Sequence, residues 1–214
     1  MTTARASGDG DYEIGLVLFD QAEELDWVGP FEVFTMAREI ASPSHAAKRI
    51  RVRLIAERGG VVTGAKGMRV ETDHAFADAP RLDLLLIPGG IGTRREMKNE
   101  AMLEFLRKQA PGCAWVTSVC TGSAVLERAG LTRGRRITTH WAYLPTLRET
   151  AAGETEVLER VRYVRDGNLV TSAGVSAGID MALWLTGQIF GVEHARNTQR
   201  AMEYDPAPPY TAEV

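Results

Sequence analysis

The chain has little of what disulfide-rich, metal-binding or membrane proteins depend on. It carries only two cysteines, Cys113 and Cys120, which are too few for a disulfide framework. It has no C-x-x-C or H-E-x-x-H motif, and its four histidines are scattered, so we expect no metal site. No apolar run reaches the roughly 18 residues of a transmembrane helix, so no membrane span is predicted.

The charge balance has no basic surplus. Lys and Arg number 25 against 28 Asp and Glu, a net charge of −3, which argues against a nucleic-acid partner. Residues 1–11 are small and polar and lack the apolar segment of a secretory signal, so we interpret them as a flexible tail. With two reduced cysteines, the chain is expected to be a cytoplasmic protein. The predicted organisation is one domain over 12–210 and a C-terminal tail over 211–214.

Short β-branched apolar runs alternate with longer amphipathic segments. This pattern predicts an α/β domain with a mostly parallel sheet covered by helices on both faces. Such sheets bind ligands at the carboxyl ends of their strands. Strands are predicted at 13–19, 49–56, 82–87, 113–119 and 137–139, hairpins at 61–70 and 157–172, and helices at 26–40, 96–109, 121–129, 177–190 and 193–204.

Cys120 lies where a buried strand is predicted to meet a helix. The strand-turn-helix order is that of a nucleophile elbow, and the helix N-terminus is expected to lower the pKa of the thiol. The alternative is a buried apolar cysteine, the usual state of a free thiol. Cys113 lies inside the predicted strand and is interpreted as core.

The tripeptide Pro88-Gly89-Gly90 ends another predicted strand. Two glycines let the backbone approach a ligand, and their N–H groups with that of Thr121 are expected to form an oxyanion or substrate-binding site. A turn that only requires positive φ is an equal alternative.

Asp26 follows the first predicted strand among apolar residues. Its simplest role is to cap the following helix. In a parallel sheet, however, the loop after this strand reaches the same crevice as Cys120, where a carboxylic acid of raised pKa is suited to moving a proton.

His140 follows Cys120 by twenty residues, at the end of a short predicted strand. It is either the imidazole of a Cys–His pair or a polar residue at a strand end. The other histidines, His45, His74 and His194, lie in polar contexts and are predicted to be at the surface.

Four segments together resemble the ThiJ/PfpI superfamily, within the class I glutamine-amidotransferase-like, flavodoxin-like fold, and the resemblance runs from about residue 13 to 210. These are Pro88-Gly89-Gly90, Ser118 to Gly122, Thr138 to Trp141, and Ala173 to Asp180. Within the superfamily, Leu25-Asp26, the Thr139–Tyr143 run, the Val164–Leu169 hairpin and the proline-rich end are similar to the isocyanide hydratase family.

The resemblance implies a homodimeric enzyme that acts on a small molecule without a metal or organic cofactor. Cys120 would attack an isocyanide, Asp26 would interact with the thiol, Thr121 would assist, and the product would be an N-formamide. His140 is left as a neighbour of the site.

Two alternatives stay open. Arg94 and Arg95 follow the glycine turn and suit an anionic ligand, so a glyoxalase-like or hydrolytic enzyme acting on a small carbonyl compound is the first. The same motifs resemble the N-terminal half of AraC-type regulators, so the second is a non-catalytic module that senses a ligand or an oxidant through Cys120.

Overall fold

The computed structural model describes residues 11–40 and 49–206. The tails predicted over 1–11 and 211–214 lie outside these residues, apart from Asp11, and so does His45.

A seven-stranded sheet forms the centre of the described chain, in the order β10-β11-β7-β6-β1-β2-β5. All neighbours pair in parallel except β10 and β11, which form an antiparallel hairpin. Two further pairs, β3 with β4 and β8 with β9, are separate two-stranded sheets. The strands are β1 (Tyr12–Val17), β2 (Ile50–Ala56), β3 (Gly60–Thr63), β4 (Arg69–Thr72), β5 (His74–Ala75), β6 (Leu84–Ile87), β7 (Trp115–Val119), β8 (Arg136–Ile137), β9 (Glu156–Val157), β10 (Tyr163–Asp166) and β11 (Leu169–Ser172).

Two groups of helices cover the sheet. Helices α1, α6 and α7 pack on one another, and α2, α3 and α4 form the second group. The helices are α1 (Glu24–Glu39), α2 (Thr93–Glu96), α3 (Glu100–Gln109), α4 (Gly122–Arg128), α5 (Leu144–Thr150), α6 (Ala177–Phe190) and α7 (Val192–Ala201). Among the described residues, none of these helices is long and apolar enough to cross a membrane.

The central strands are buried because helices cover both of their faces. Every residue of β6 is completely inaccessible to solvent, which explains why its sequence is a continuous apolar run. The flavodoxin-like, mostly parallel α/β fold is therefore confirmed.

The helix predicted over 96–109 is wrong in its first turn. The chain instead forms two helices, α2 and α3, separated by Met97 to Asn99. Asn99 takes an extended backbone before α3, and its side-chain amide donates hydrogen bonds to Glu57 and Glu96. The contact with Glu57 ties the break to the distant loop after β2, and the periodicity of the sequence alone does not show it.

Two local predictions are corrected by packing. Cys113 precedes β7 rather than lying inside it, although it is buried as expected. His194 is buried, not at the surface, because α7 packs against α1 and brings its Nε2 to 2.9 Å from the Ala37 carbonyl oxygen.

Candidate functional site

The site lies at the carboxyl edge of three adjacent strands. Asp26 follows β1, Gly89 and Gly90 follow β6, and Cys120 follows β7. Because β6 lies between β1 and β7, the three connections converge over β6. This is the edge at which parallel α/β sheets bind ligands.

Cys120 occupies a strained backbone between β7 and α4. Its φ of 55° is in the left-handed region, which a non-glycine residue rarely adopts, and this is the sharp turn that a nucleophile elbow requires. A Cβ on Gly89 would lie 2.8 Å from Cys120 Cβ, and one on Gly174 would lie 2.5 Å from it. The elbow therefore needs glycine on two neighbouring segments.

Asp26 lies inside the first turn of α1 and does not cap it. The cap position belongs to Glu23, and the Asp26 carboxyl points instead toward the glycine turn, where its Oδ2 accepts a hydrogen bond of 2.9 Å from the Gly89 N–H. Asp26 is fully buried, and its Oδ1 has no hydrogen-bond partner among the described residues. Asp26 therefore does not cap α1, and its carboxyl is instead held over the glycine turn by the Gly89 N–H.

Asp26 and Cys120 perturb each other's ionisation. Burial raises the pKa of Asp26 to about 7, against an opposing contribution from the Gly89 hydrogen bond. Burial, followed by the negative charge of Asp26, raises the pKa of the Cys120 thiol to about 12. The lowered thiol pKa expected from the helix N-terminus is wrong, because desolvation and the adjacent carboxylate outweigh it. Between about pH 7 and pH 12 the Asp26–Cys120 pair therefore holds a single proton.

Thr121 is the residue that favours the thiolate. Its backbone N–H and its hydroxyl both lower the pKa of Cys120, and the hydroxyl also donates to the Gly90 carbonyl oxygen at 3.3 Å. Its Oγ1 also accepts a 3.1 Å hydrogen bond from the Gly90 N–H. The Gly89 N–H thus donates to Asp26 and the Gly90 N–H to Thr121, so both N–H groups predicted to bind an oxyanion have protein partners in this structure.

The two arginines after the glycine turn diverge. Arg94 donates a 3.1 Å hydrogen bond to the Gly90 carbonyl oxygen, and its guanidinium lies 4.8 Å from the centre of the Tyr143 ring. Arg95 pairs with the buried Glu96 and donates to the Asp20 carbonyl. Only Arg94 therefore contacts the turn beside Cys120.

His140 lies close to the elbow in sequence but caps its own turn. Its Nδ1 accepts a 3.3 Å hydrogen bond from the Ala142 N–H, and no hydrogen bond joins it to Cys120 within residues 11–40 and 49–206. The preceding Thr139 donates to the Cys120 carbonyl at 2.9 Å. The segment thus braces the backbone of the elbow through Thr139.

Sequence reasoning missed Thr93 and Gly174. Thr93 is fully buried at the start of α2, with its hydroxyl 3.2 Å from that of Thr121. Gly174 follows β11 with a φ of 73° and packs on Cys120. Gly174 lies in one of the segments that resemble the superfamily, but no role was predicted for it, and Thr93 carries no local signal, because the roles of both depend on contacts between distant segments. The part of the chain that the structure describes holds no group of three or more His, Cys, Asp or Glu side chains placed to bind a metal.

Known proteins are similar to this chain in sequence and in fold. A profile of the DJ-1/PfpI family matches residues 13–188. Isonitrile hydratase of Pseudomonas putida is 42% identical over 201 residues, which cover 92% of this chain and 81% of that protein. A crystal structure of a ThiJ/PfpI family protein from Pseudomonas syringae superposes with a TM-score of 0.82 at 30% identity, covering 96% of this chain and 80% of that one.

A transcription regulator is also similar. The HTH-type transcriptional regulator GbdR of Pseudomonas aeruginosa is 29% identical over 189 residues, covering 88% of this chain but only 48% of the regulator. The family match extends over most of the chain and includes the glycine turn and the elbow. The chain belongs to the DJ-1/PfpI family.

Proposed function

We propose that the protein is an isonitrile hydratase, in which Cys120 adds to the terminal carbon of an isonitrile and water then releases an N-formamide. The observation that carries this proposal is the buried Asp26 carboxyl, with a pKa raised to about 7, held by Gly89 beside the strained Cys120. The 42% identity to a curated isonitrile hydratase supports the same reaction.

The first step forms a thioimidate on Cys120. The thiol proton passes to the ionised Asp26 as the sulfur attacks the terminal carbon, and Asp26 then delivers that proton to the same carbon. One S–C bond and one C–H bond form, and the carbon–nitrogen triple bond becomes a double bond. An acid with a pKa near neutrality is suited to both halves of this transfer.

The second step adds water to the thioimidate carbon. Asp26 accepts a proton from the water as its oxygen bonds to carbon, and passes that proton to the nitrogen. The C–S bond then breaks as the carbonyl forms, the hydroxyl proton of the adduct passes through Asp26 to the sulfur, and the N-formamide leaves. The Thr121 N–H and hydroxyl stabilise the sulfur as its negative charge develops. Isonitrile and water balance the reaction without another reactant.

The test is to mix the protein with cyclohexyl isonitrile and follow N-cyclohexylformamide by NMR, with methylglyoxal as the competing substrate. We expect formamide production, and a transient mass increase of one isonitrile on the fragment that contains Cys120. Turnover of methylglyoxal with none of the isonitrile would favour the carbonyl alternative. The guanidinium groups of Arg94 and Arg95, which the carbonyl alternative requires to hold a substrate carboxylate, are already bonded to protein atoms, and this disfavours that alternative.

The second candidate is a sensing module, which the similarity to GbdR favours. In that case Cys120 would be oxidised or would bind a ligand without turnover. Exposure to hydrogen peroxide followed by mass spectrometry separates the two functions. A sensor should form a stable oxidised Cys120 with peroxide and should leave added isonitrile unchanged. The hydratase should consume added isonitrile.

The homodimer and the cytoplasmic location implied by the resemblance belong to this proposal. Three large apolar side chains, Leu25, Ile91 and Trp141, are substantially exposed and adjoin residues of the site in sequence. Light scattering of the purified protein measures its oligomeric state directly.

A further inference from the structure

The hairpin of β3 and β4 lies against the start of α1 with almost no core of its own. It is a separate two-stranded sheet, and among the described residues of its two strands only Val62 is buried. A two-stranded hairpin with so little apolar burial is marginally stable by itself. Polar contacts with the segment that leads from β1 into α1 therefore carry much of its attachment.

Three of these contacts run along the connection between β1 and α1. The Gln21 N–H donates to the Thr63 carbonyl oxygen at 2.8 Å, and the Ala65 N–H donates to the Ala22 carbonyl oxygen at 2.8 Å. The Thr63 N–H donates to Asp20 Oδ1 at 2.9 Å. The turn of the hairpin and the connection into α1 are therefore held to each other along their length.

Glu24, the first residue of α1, is the side chain that binds the turn of the hairpin. Its Oε1 accepts the Lys66 N–H at 2.6 Å and the Met68 N–H at 3.5 Å, and its Oε2 lies 4.0 Å from the Lys66 ammonium. Hydrogen bonds to a carboxylate are stronger than those to a neutral acceptor. A Cβ on Gly64 would lie 2.5 Å from Glu24 Oε1, so the turn has room for this carboxylate because position 64 is a glycine.

The same connection contacts the glycine turn on its other side. The Glu23 N–H donates to the Gly89 carbonyl oxygen at 2.9 Å, and the Gly89 N–H donates to Asp26 Oδ2 at 2.9 Å. Glu23 and Asp26 thus bind the two polar backbone groups of one residue. Because Glu24 lies between them in the chain, a shift of the first turn of α1 away from the hairpin would move Asp26 relative to Gly89.

We propose that Glu24 is a positioning residue for Asp26: its carboxylate binds the turn of the β3–β4 hairpin, fixes the first turn of α1 there, and so keeps the Asp26 carboxyl on the Gly89 N–H. The inference deepens the proposed hydratase function and rests on it for its effect on turnover. Its effect on the ionisation of the Asp26–Cys120 pair is measured without any isonitrile.

Titratable groups act on the Asp26 carboxyl from three segments. They are Cys120 of the elbow, Glu23 of the connection before α1, and Lys66 of the hairpin, whose ammonium is bonded to Glu23. The hydrogen bond from Gly89 lowers the pKa of Asp26. Loss of that hydrogen bond should therefore raise the pKa of the carboxyl further.

Glu24→Ala and Glu24→Gln form a matched pair, because both remove the negative charge and only glutamine keeps an acceptor for the hairpin. The readout is the rate at which iodoacetamide alkylates Cys120, followed from about pH 5 to 9 in a Cys113→Ala background that leaves a single thiol in the chain. In the parent this rate should rise through about pH 7, where the Asp26–Cys120 pair loses its first proton. We expect the midpoint in Glu24→Ala to lie about one pH unit above that in Glu24→Gln.

Gly64→Ala tests the same contact while every charge is kept. Its Cβ should displace the Glu24 carboxylate from the turn, so its midpoint should also lie above that of the parent. The control is Thr72→Val, which removes a 3.0 Å hydrogen bond to the Gly60 carbonyl oxygen at the far end of the hairpin. This variant should have a lower melting temperature and an unchanged midpoint.

A purely structural role for Glu24 predicts lower melting temperatures with equal midpoints. Equal midpoints in Glu24→Ala and Glu24→Gln therefore overturn the inference. If Glu24→Ala does not fold, Gly64→Ala measured against the parent decides in the same way.

Hydratase kinetics separate this inference from the proposed function. In an active parent, the midpoint of the kcat/KM profile should move upward in Glu24→Ala as the alkylation midpoint does, with KM unchanged at higher pH, because Asp26 rather than substrate binding is affected. If the parent does not hydrate isonitriles, the proposed function fails while the alkylation series still decides the role of Glu24. If the parent is active and the two Glu24 variants titrate alike, only the positioning role fails.

Discussion

Cys113 and Cys120 lie at opposite ends of the same strand and are equally buried, each with 6% of its surface exposed. Burial raises the pKa of both thiols to about 12. Their surroundings differ. Cys113 has an ordinary backbone with φ of −80°, and its thiol donates to the Gln109 carbonyl oxygen.

Cys120 has a backbone strained into the left-handed region, Thr121 donors on its sulfur and the Asp26 carboxyl beside it. Desolvation is therefore common to both cysteines and does not distinguish them. Hydrogen-bond donors and an adjacent carboxyl, rather than burial, therefore separate the proposed nucleophile from the core thiol.

Removing the two sulfurs in turn should give the largest contrast. Cys120→Ala should lower isonitrile turnover by at least about 10⁴-fold, because no other group forms the thioimidate. Cys113→Ala should stay within about twofold of the parent protein, since the hydrogen bond of that thiol is to Gln109 and not to a residue of the site. N-formamide production measured by NMR decides the matter, and comparable losses in both variants would contradict the assignment.

Asp26→Asn should stabilise the protein at pH 8. Burial raises the carboxyl pKa from 3.8 to about 7, so the folded state binds the proton more tightly than the unfolded state does. Stability therefore falls as pH rises through this window and stays lower above it. The amide avoids that penalty, which is up to about 4 kcal/mol at pH 8 and less than about 1 kcal/mol near pH 4.

Urea unfolding at the two pH values measures this difference. The control is Asp180→Asn, which removes an acid that bonds Arg162 and Tyr204 and so should destabilise at pH 8. If Asp26→Asn also destabilises at pH 8, the carboxyl is not buried at a cost, and its raised pKa is wrong.

The same Asp26→Asn change should reduce turnover about 100-fold, because the proton carrier is lost. In the parent protein, kcat/KM should rise with pH through about 7, where the Asp26–Cys120 pair loses its first proton and gains a base. That inflection should be absent from the variant. A profile that keeps it after the substitution would assign the titration to another group.

Local sequence predicted the strands and the elbow well for a physical reason. A strand buried on both faces must be continuously apolar, as β6 is, and a turn into a helix N-terminus leaves its own pattern around Cys120. The close approach of backbone predicted for the glycine turn is also present at Gly89, where a Cβ would lie 2.5 Å from the Thr121 nitrogen.

Contacts between distant segments were beyond the sequence. Asp26 and Gly89 are 63 residues apart, so only the folded sheet shows that the carboxyl accepts from the turn instead of capping its helix. The predicted lowering of the Cys120 pKa was wrong for the same reason. The helix N-terminus can be recognised in the sequence, whereas burial and the facing carboxylate cannot. Thr93 was invisible for the same reason.

The smallest expected effect tests the backbone difference between the two cysteines. At φ of 55°, position 120 favours glycine over a residue with a Cβ, so Cys120→Gly should be about 1 kcal/mol more stable than Cys120→Ala. At position 113, with φ of −80° and ψ of 134°, the order should reverse by about 0.5 to 1 kcal/mol, because glycine there only adds entropy to the unfolded chain. Urea unfolding of the four variants at one pH measures both differences. The same order at both positions would mean that the elbow carries no strain, and the comparison would then rest on the Thr121 donors and Asp26 alone.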